Sequence, residues 1–156
     1  MKKIIITLIF ALLFVGVINT TTIAQCKQQV VYNCATDNDR AIYLRDFNTK
    51  LKKEKKGQES GTKWTVVLNK GTRYRFNLCT PDGIEDKIIM VLYDNSHPEN
   101  NPYGSTIDPT TGKDRKNFDF ICQKSGMYYI SINYKDGLGD RKACAVGIMS
   151  FVGKNK

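Results

Sequence analysis

The stretch Lys70-Gly71-Thr72-Arg73-Tyr74-Arg75-Phe76-Asn77-Leu78-Cys79 decides the fold. Lys70-Gly71-Thr72 reads as a turn, and from Arg73 to Leu78 the residues alternate strictly. Tyr74, Phe76 and Leu78 fall on one face while Arg73, Arg75 and Asn77 fall on the other, the period of an antiparallel strand with one side in a core. On the N-terminal side, Lys63–Asn69 turns Trp64, Val66 and Leu68 inward and meets the quoted strand through the glycine turn, as a hairpin or a corner between sheets. On the C-terminal side, Thr80-Pro81-Asp82-Gly83 is a turn signature. Lys87–Tyr93 is apolar on both faces and reads as a central strand.

The same grammar runs to both ends. Phe118 and Phe120 alternate with Asn117 and Asp119 before Ile121-Cys122. Tyr128, Ile130, Ile132 and Tyr134 share a face, and a last strand from Cys144 to Val152 carries Val146 and Ile148 on one side. Upstream, Tyr43, Phe47 and Leu51 share a strand face with Arg45 and Thr49 between them. Cys26, Val30, Val31 and Cys34 recur at helical spacing, which predicts a short helix over Cys26–Asn33. About seven to eight short antiparallel strands, turns between them and no long helix point to an all-β sandwich.

The N-terminus has a different character. Met1-Lys2-Lys3, an apolar run from Ile4 to Ile18 and the small or polar residues up to Ala24 form a secretory signal peptide over residues 1–24. The apolar run is shorter than the roughly 20 residues of a membrane span. Cleavage after Ala24 leaves Gln25 first and residues 25–156 as a single β-sandwich domain, secreted or periplasmic. Ile23-Ala24-Gln25-Cys26 also resembles a lipobox, but glutamine is large for the position before a lipidated cysteine. Loss of Lys2 and Lys3 takes two charges from a formal net charge of +9 and leaves a basic chain, suited to anionic surfaces.

All five cysteines, Cys26, Cys34, Cys79, Cys122 and Cys144, lie beyond Ala24 and read as disulfides first, with at least one left over. No CxxC pair occurs, and one histidine is too few for a mixed zinc shell, so no metal site is expected. A helix would hold Cys26 and Cys34 about 12 Å apart, against about 5.5–6 Å between the Cα atoms of a disulfide. Either they pair across a turn, or each staples the helix to the body.

Three features are candidates for function. Lys50, Lys52, Lys53, Lys55 and Lys56, opposed only by Glu54, form the densest basic run and would suit a polyanion such as an anionic glycan; nucleic acid is disfavoured because no aromatic interleaves the lysines. The segment Asp94–Lys116 reads as one long loop rich in Asp, Asn and Glu. Its oxygens are numerous enough for calcium, yet no EF-hand spacing is present, so no cofactor is expected and calcium is the alternative. Tyr103 at its centre would either stack on a sugar or pin the loop to the sandwich. His97, in Asn95-Ser96-His97-Pro98, lacks the aligned nucleophile and orienting group that catalysis requires.

The succession Gly71-Thr72-Arg73-Tyr74-Arg75-Phe76, then Ile88–Asp94, then Phe118-Asp119-Phe120, then Ser125-Gly126-Met127-Tyr128-Tyr129-Ile130 resembles the bacterial pre-peptidase C-terminal domains, jelly-roll modules appended to secreted enzymes. The resemblance spans roughly Trp64 to Phe151. The chain is also similar to small secreted bacterial proteins with two N-terminal cysteines and a Tyr-Arg strand ending in cysteine. A jelly-roll-like sandwich is what the resemblance implies. In such a fold the strand ending at Cys79 and the strand beginning at Cys144 are antiparallel neighbours, which implies a Cys79–Cys144 disulfide and leaves Cys122 as the free thiol. Neither group brings an active site. The reading is a secreted, non-catalytic binding module for a cell-surface or extracellular anionic glycan, with ligand residues Lys52, Lys53, Lys55, Lys56 and Tyr103. A structural subunit of an envelope assembly and a small hydrolase are the alternatives.

Overall fold

A computed structural model describes residues 28–36, 41–53, 61–80, 84–135 and 138–154. The expected signal peptide over residues 1–24, Cys26, Lys55 and Lys56 lie outside the described residues. Among the described residues one helix, α1 (Gln28–Thr36), precedes eight strands: β1 (Ile42–Leu51), β2 (Thr62–Leu68), β3 (Thr72–Cys79), β4 (Ile88–Tyr93), β5 (Gly104–Ser105), β6 (Asn117–Ile121), β7 (Gly126–Tyr134) and β8 (Ala143–Lys154). The strands pair in nested fashion, β1 with β8, β2 with β7, β3 with β6 and β4 with β5, all antiparallel. This is a long hairpin rolled upon itself. The further pairings of β3 with β8 and β4 with β7 knit it into two sheets, ordered β1-β8-β3-β6 and β2-β7-β4-β5, which is the jelly roll.

The quoted strand behaves as its alternation requires. Tyr74, Phe76 and Leu78 point into the core, where Phe76 stacks on Phe118 of the neighbouring β6 at 5.2 Å. The second sheet answers with Met90 and Leu92 from β4 and Ile130 and Ile132 from β7, all fully buried. Such interdigitating faces of two sheets make the core of a sandwich. Opposite Met90 and Ile132, β8 carries Gly147, the only residue type that leaves room for both side chains.

The outer face of the first sheet is not simply solvated. Helix α1 lies on it, packing Val31, Cys34 and Ala35 against Val146, Ile148 and Cys79. Asn77 on the same face is consequently only 3% exposed, though its alternation reads as solvent-facing. The helix runs on past the end that the spacing suggests, to Thr36 rather than Asn33, which brings Cys34 inside it.

The disulfide implied between Cys79 and Cys144 is not formed; Cys79 is bonded to Cys34, with Cα atoms 5.8 Å apart. The two strands are neighbours as the resemblance implied, but register decides the pairing. Cys79 stands opposite Val146, while Cys144 lies beyond the end of that ladder, opposite Lys50 of β1. Cys34 reaches Cys79 instead, with its sulfur 3.9 Å from the Val146 carbonyl. Cys144 is itself disulfide-bonded, to a partner outside the described residues. Cys122 is the free, buried thiol.

Two other expectations are corrected. Tyr43 is 46% exposed and not on the core face, because the β1–β8 register shifts between Tyr43 and Arg45. The Asp94–Lys116 segment is not one loop: it contains β5 and an isolated bridge between Ile107 and Asp114.

Where no helix covers the first sheet, charges pair across strands. Asp119 of β6 accepts from Arg75 Nε at 2.7 Å and Nη2 at 3.1 Å, and Arg73 Nη2 lies at 3.0 Å. The Arg75 hydrogen bonds hold the Asp119 carboxyl below the usual carboxylate range against the opposing effect of burial. A lowered folded pKa adds stability that is present above the ordinary carboxylate pKa of about 3.9 and is lost as pH falls through the lowered value. Asp119→Asn is therefore expected to cost about 1 kcal/mol at neutral pH, because the pair is partly solvated. The difference from wild type should vanish toward pH 2 in urea unfolding followed by tryptophan fluorescence. An equal difference at both pH values would reject the assignment.

Candidate binding surfaces

Two turns lie side by side at the end of the sandwich where β2 passes into β3. The first is Asn69–Thr72, closed by Thr72 N–H to the Asn69 carbonyl at 3.2 Å, with Gly71 at φ 77°, a left-handed conformation that favours glycine. The second joins β6 to β7 through Gln123–Gly126. Lys70 N–H donates to Ser125 Oγ at 2.8 Å and Gly71 N–H to the Cys122 carbonyl at 2.8 Å, so each turn holds the other. Tyr74 and Tyr128 anchor them from below, the first accepting from Asn69 N–H at 3.0 Å, the second donating to the Lys124 carbonyl at 2.7 Å.

This end carries an exposed apolar pair. Val67 and Met127 stand opposite one another on the outer face of β2 and β7 and are 69% and 64% exposed. Lys70 and Lys124 are exposed on the two turns at this end, and Lys154 ends β8 opposite Thr72. Alternation alone puts Val67 outward, since Val66 and Leu68 point in. That it meets Met127, and that two locked turns frame the pair, depends on the β2–β7 register.

The segment after β4 is tied down by its own polar groups. Asp94 Oδ1 accepts from Ser96 N–H, Ser96 Oγ and His97 N–H, each at 2.8 Å, and Oδ2 accepts from Tyr103 OH at 3.0 Å. Burial acts to raise the Asp94 pKa, but the hydrogen bonds from Ser96, His97 and Tyr103 prevail and hold it below the usual range. The Tyr103 ring is sandwiched: His97 lies 4.3 Å away, Phe120 5.2 Å and Tyr128 5.5 Å. Tyr103 thus fastens this segment to both sheets, because Phe120 belongs to the first and Tyr128 to the second. Further along, Glu99 Oε1 accepts from Ser131 Oγ and from Asn133 Nδ2, the latter at 2.9 Å.

Aspartate, serine and histidine meet here, but not in the order that activates a nucleophile. A triad needs the carboxylate on the imidazole and the imidazole on the hydroxyl. Asp94 instead binds the Ser96 hydroxyl and the His97 backbone, and Ser96 Oγ stands 3.4 Å from His97 Nδ1. Among the described residues no group of three or more His, Cys, Asp or Glu side chains gathers where it could hold a metal ion.

Of the basic run, Lys50, Lys52 and Lys53 are exposed where β1 ends, opposite the start of β8. The antiparallel order puts them at the far end of the sandwich from the two turns. Tyr103 is near Tyr128, close to the start of β7, so the structure does not bring the lysines and Tyr103 together. No helix among the described residues is long and apolar enough to cross a membrane.

No family model matches the chain, and no curated protein matches it. Among solved structures it is similar to the periplasmic inhibitor of g-type lysozyme PliG from Aeromonas hydrophila, with a TM-score of 0.52 and 10% identity over 70% of this chain and 87% of that one. At that identity the likeness is one of fold alone.

Proposed function

We propose that the chain is an exported, non-catalytic binding protein that engages a partner protein through the end of the sandwich carrying the two interlocked turns. The observation that carries this reading is the cross-strand pair Val67 and Met127, left 69% and 64% exposed on a rigid frame beside Lys70 and Lys124. A large apolar pair on a pre-organised, basic rim suits a contact with an acidic, apolar-lined cleft. The disulfide fits an oxidising compartment outside the cytoplasm. The similar structure being an inhibitor of a lysozyme suggests where to look first.

The test measures binding to, and inhibition of, g-type lysozyme alongside other lysozyme types, using the wild type, Val67→Asp/Met127→Asp and Lys124→Glu. The double variant is expected to weaken binding at least about 30-fold, the scale of a lost hot spot, with little change in melting temperature. Retained binding in the double variant would remove this surface, and no binding to any lysozyme would remove that partner class.

A second reading, supported by the exposed Lys52 and Lys53, is an anionic glycan held at Lys52, Lys53, Lys55 and Lys56. Affinity would then fall steeply with salt, since exposed charges are screened over about 8 Å at physiological strength. On an array of acidic glycans, changing all four lysines to glutamate is expected to abolish binding with the melting temperature unchanged. Tyr103→Ala should lower the melting temperature and spare glycan binding, because its ring is engaged inside the protein. Binding that survives the lysine changes but not Tyr103→Ala would instead place the sugar on Tyr103.

A further inference from the structure

At the opposite end of the sandwich from the two turns, the sheets part around a cleft of about 360 Å³. That lies within the ~300–1,000 Å³ of small-molecule sites. Its floor is aliphatic, from Leu78 and Ile88. One lip is the turn that leads into β4, bearing Glu85 and Asp86; the other is the segment that leads into β6, bearing Arg115 and Lys116. The two lips thus present opposite charges across an apolar floor.

Both lips are held in place by the chain itself. Leu78 N–H donates to the Lys116 carbonyl at 2.8 Å, Arg115 N–H to the Thr106 carbonyl at 3.0 Å and Arg115 Nε to the Ser105 carbonyl at 3.0 Å. On the acidic side, Lys87 N–H closes the turn on the Ile84 carbonyl at 3.1 Å, and Lys135 N–H binds the Lys87 carbonyl at 2.9 Å. Asp114, which also lines the cleft, is neutralised by Lys135 Nζ at 2.6 Å. Asp86 and Lys116 form no ion pair with any described residue and are exposed. A pre-formed site of this kind loses little entropy on binding.

We infer that this cleft binds a short peptide with free termini and aliphatic side chains, its ammonium toward Asp86, its carboxylate toward Arg115 and Lys116, and its side chains on Leu78 and Ile88. The lining contains no aromatic ring on which a sugar could stack, and an anion alone would leave the acidic lip unanswered. The inference is independent of the two-turn surface, since it uses none of the same residues.

The probe is leucyl-leucine, compared with its N-acetyl form, its C-terminal amide and the doubly blocked compound, each titrated into the whole protein by calorimetry and by backbone amide shifts. Leucyl-leucine is expected to bind tightest and to shift Leu78, Thr80, Ile88 and Thr106. Blocking either terminus should weaken binding by roughly fivefold, the range of one exposed ion pair. Lys116→Glu should reverse the preference toward the C-terminal amide, and Asp86→Lys toward the N-acetyl form. Both sites are exposed, so circular dichroism melting should match wild type. No binding, shifts confined elsewhere, or equal affinity for the doubly blocked compound would each overturn the inference.

Discussion

Replacing Cys34 and Cys79 together by alanine is expected to lower the unfolding free energy by about 4 kcal/mol, the chain-entropy value for a bridge closing a loop of this length, 45 residues. That is a large share of the roughly 5–15 kcal/mol by which a domain is stable. The loss should be uneven. Helix α1 has 9 residues, below the about 12–15 that an isolated helix needs, and it touches the sheet mainly through Val31, Cys34 and Ala35. Without this bridge the packed turn of the helix is expected to lift from the sheet before the sandwich unfolds, uncovering Val146 and Ile148. Hydrogen exchange should show the amides of Val31–Ala35 losing protection in the variant while those of β3 and β7 keep theirs. Equal protection throughout, with a loss below about 1 kcal/mol in urea, would mean that packing and not the bridge holds the helix.

Gly147→Val is expected to destabilise the protein by about 3 kcal/mol or more. A Cβ built at Gly147 would stand 2.7 Å from Met90 Sδ, 3.0 Å from Ile132 Cδ1 and 3.5 Å from Phe47 Cδ2. Met90, Ile132 and Phe47 are fully buried and have no solvent into which to move, so the two sheets must separate or the side chains leave their rotamers. Gly153 on the same strand supplies the control, because a Cβ there meets nothing within 4 Å. Gly153→Val should fall within about 0.5 kcal/mol of wild type, the range of a surface substitution. Thermal and urea unfolding of both variants decide it; a Gly147→Val protein within about 1 kcal/mol of wild type would show that the sheets yield at this point.

Alternation of residue types by itself determined much of this protein. Tyr74, Phe76 and Leu78 of β3, Val66 and Leu68 of β2, and Tyr128, Ile130, Ile132 and Tyr134 of β7 all sit on the core side as their period requires, because a strand's side chains have only two directions and one of them is dry. The doubly apolar Ile88–Tyr93 likewise lies between two other strands. What alternation leaves open is what lies beyond the second face and which residue stands across from which. Cys79, Asn77, Val146 and Ile148 all point away from the core, and only the docking of α1 makes that face a second buried layer and joins Cys79 to Cys34. The two-residue β5 carries no periodic signal, and the exposed pair Val67 and Met127 and the bipolar cleft join positions far apart in the chain. Those facts depend on register and on the closure of one sheet over the other, and a local pattern holds no information about either.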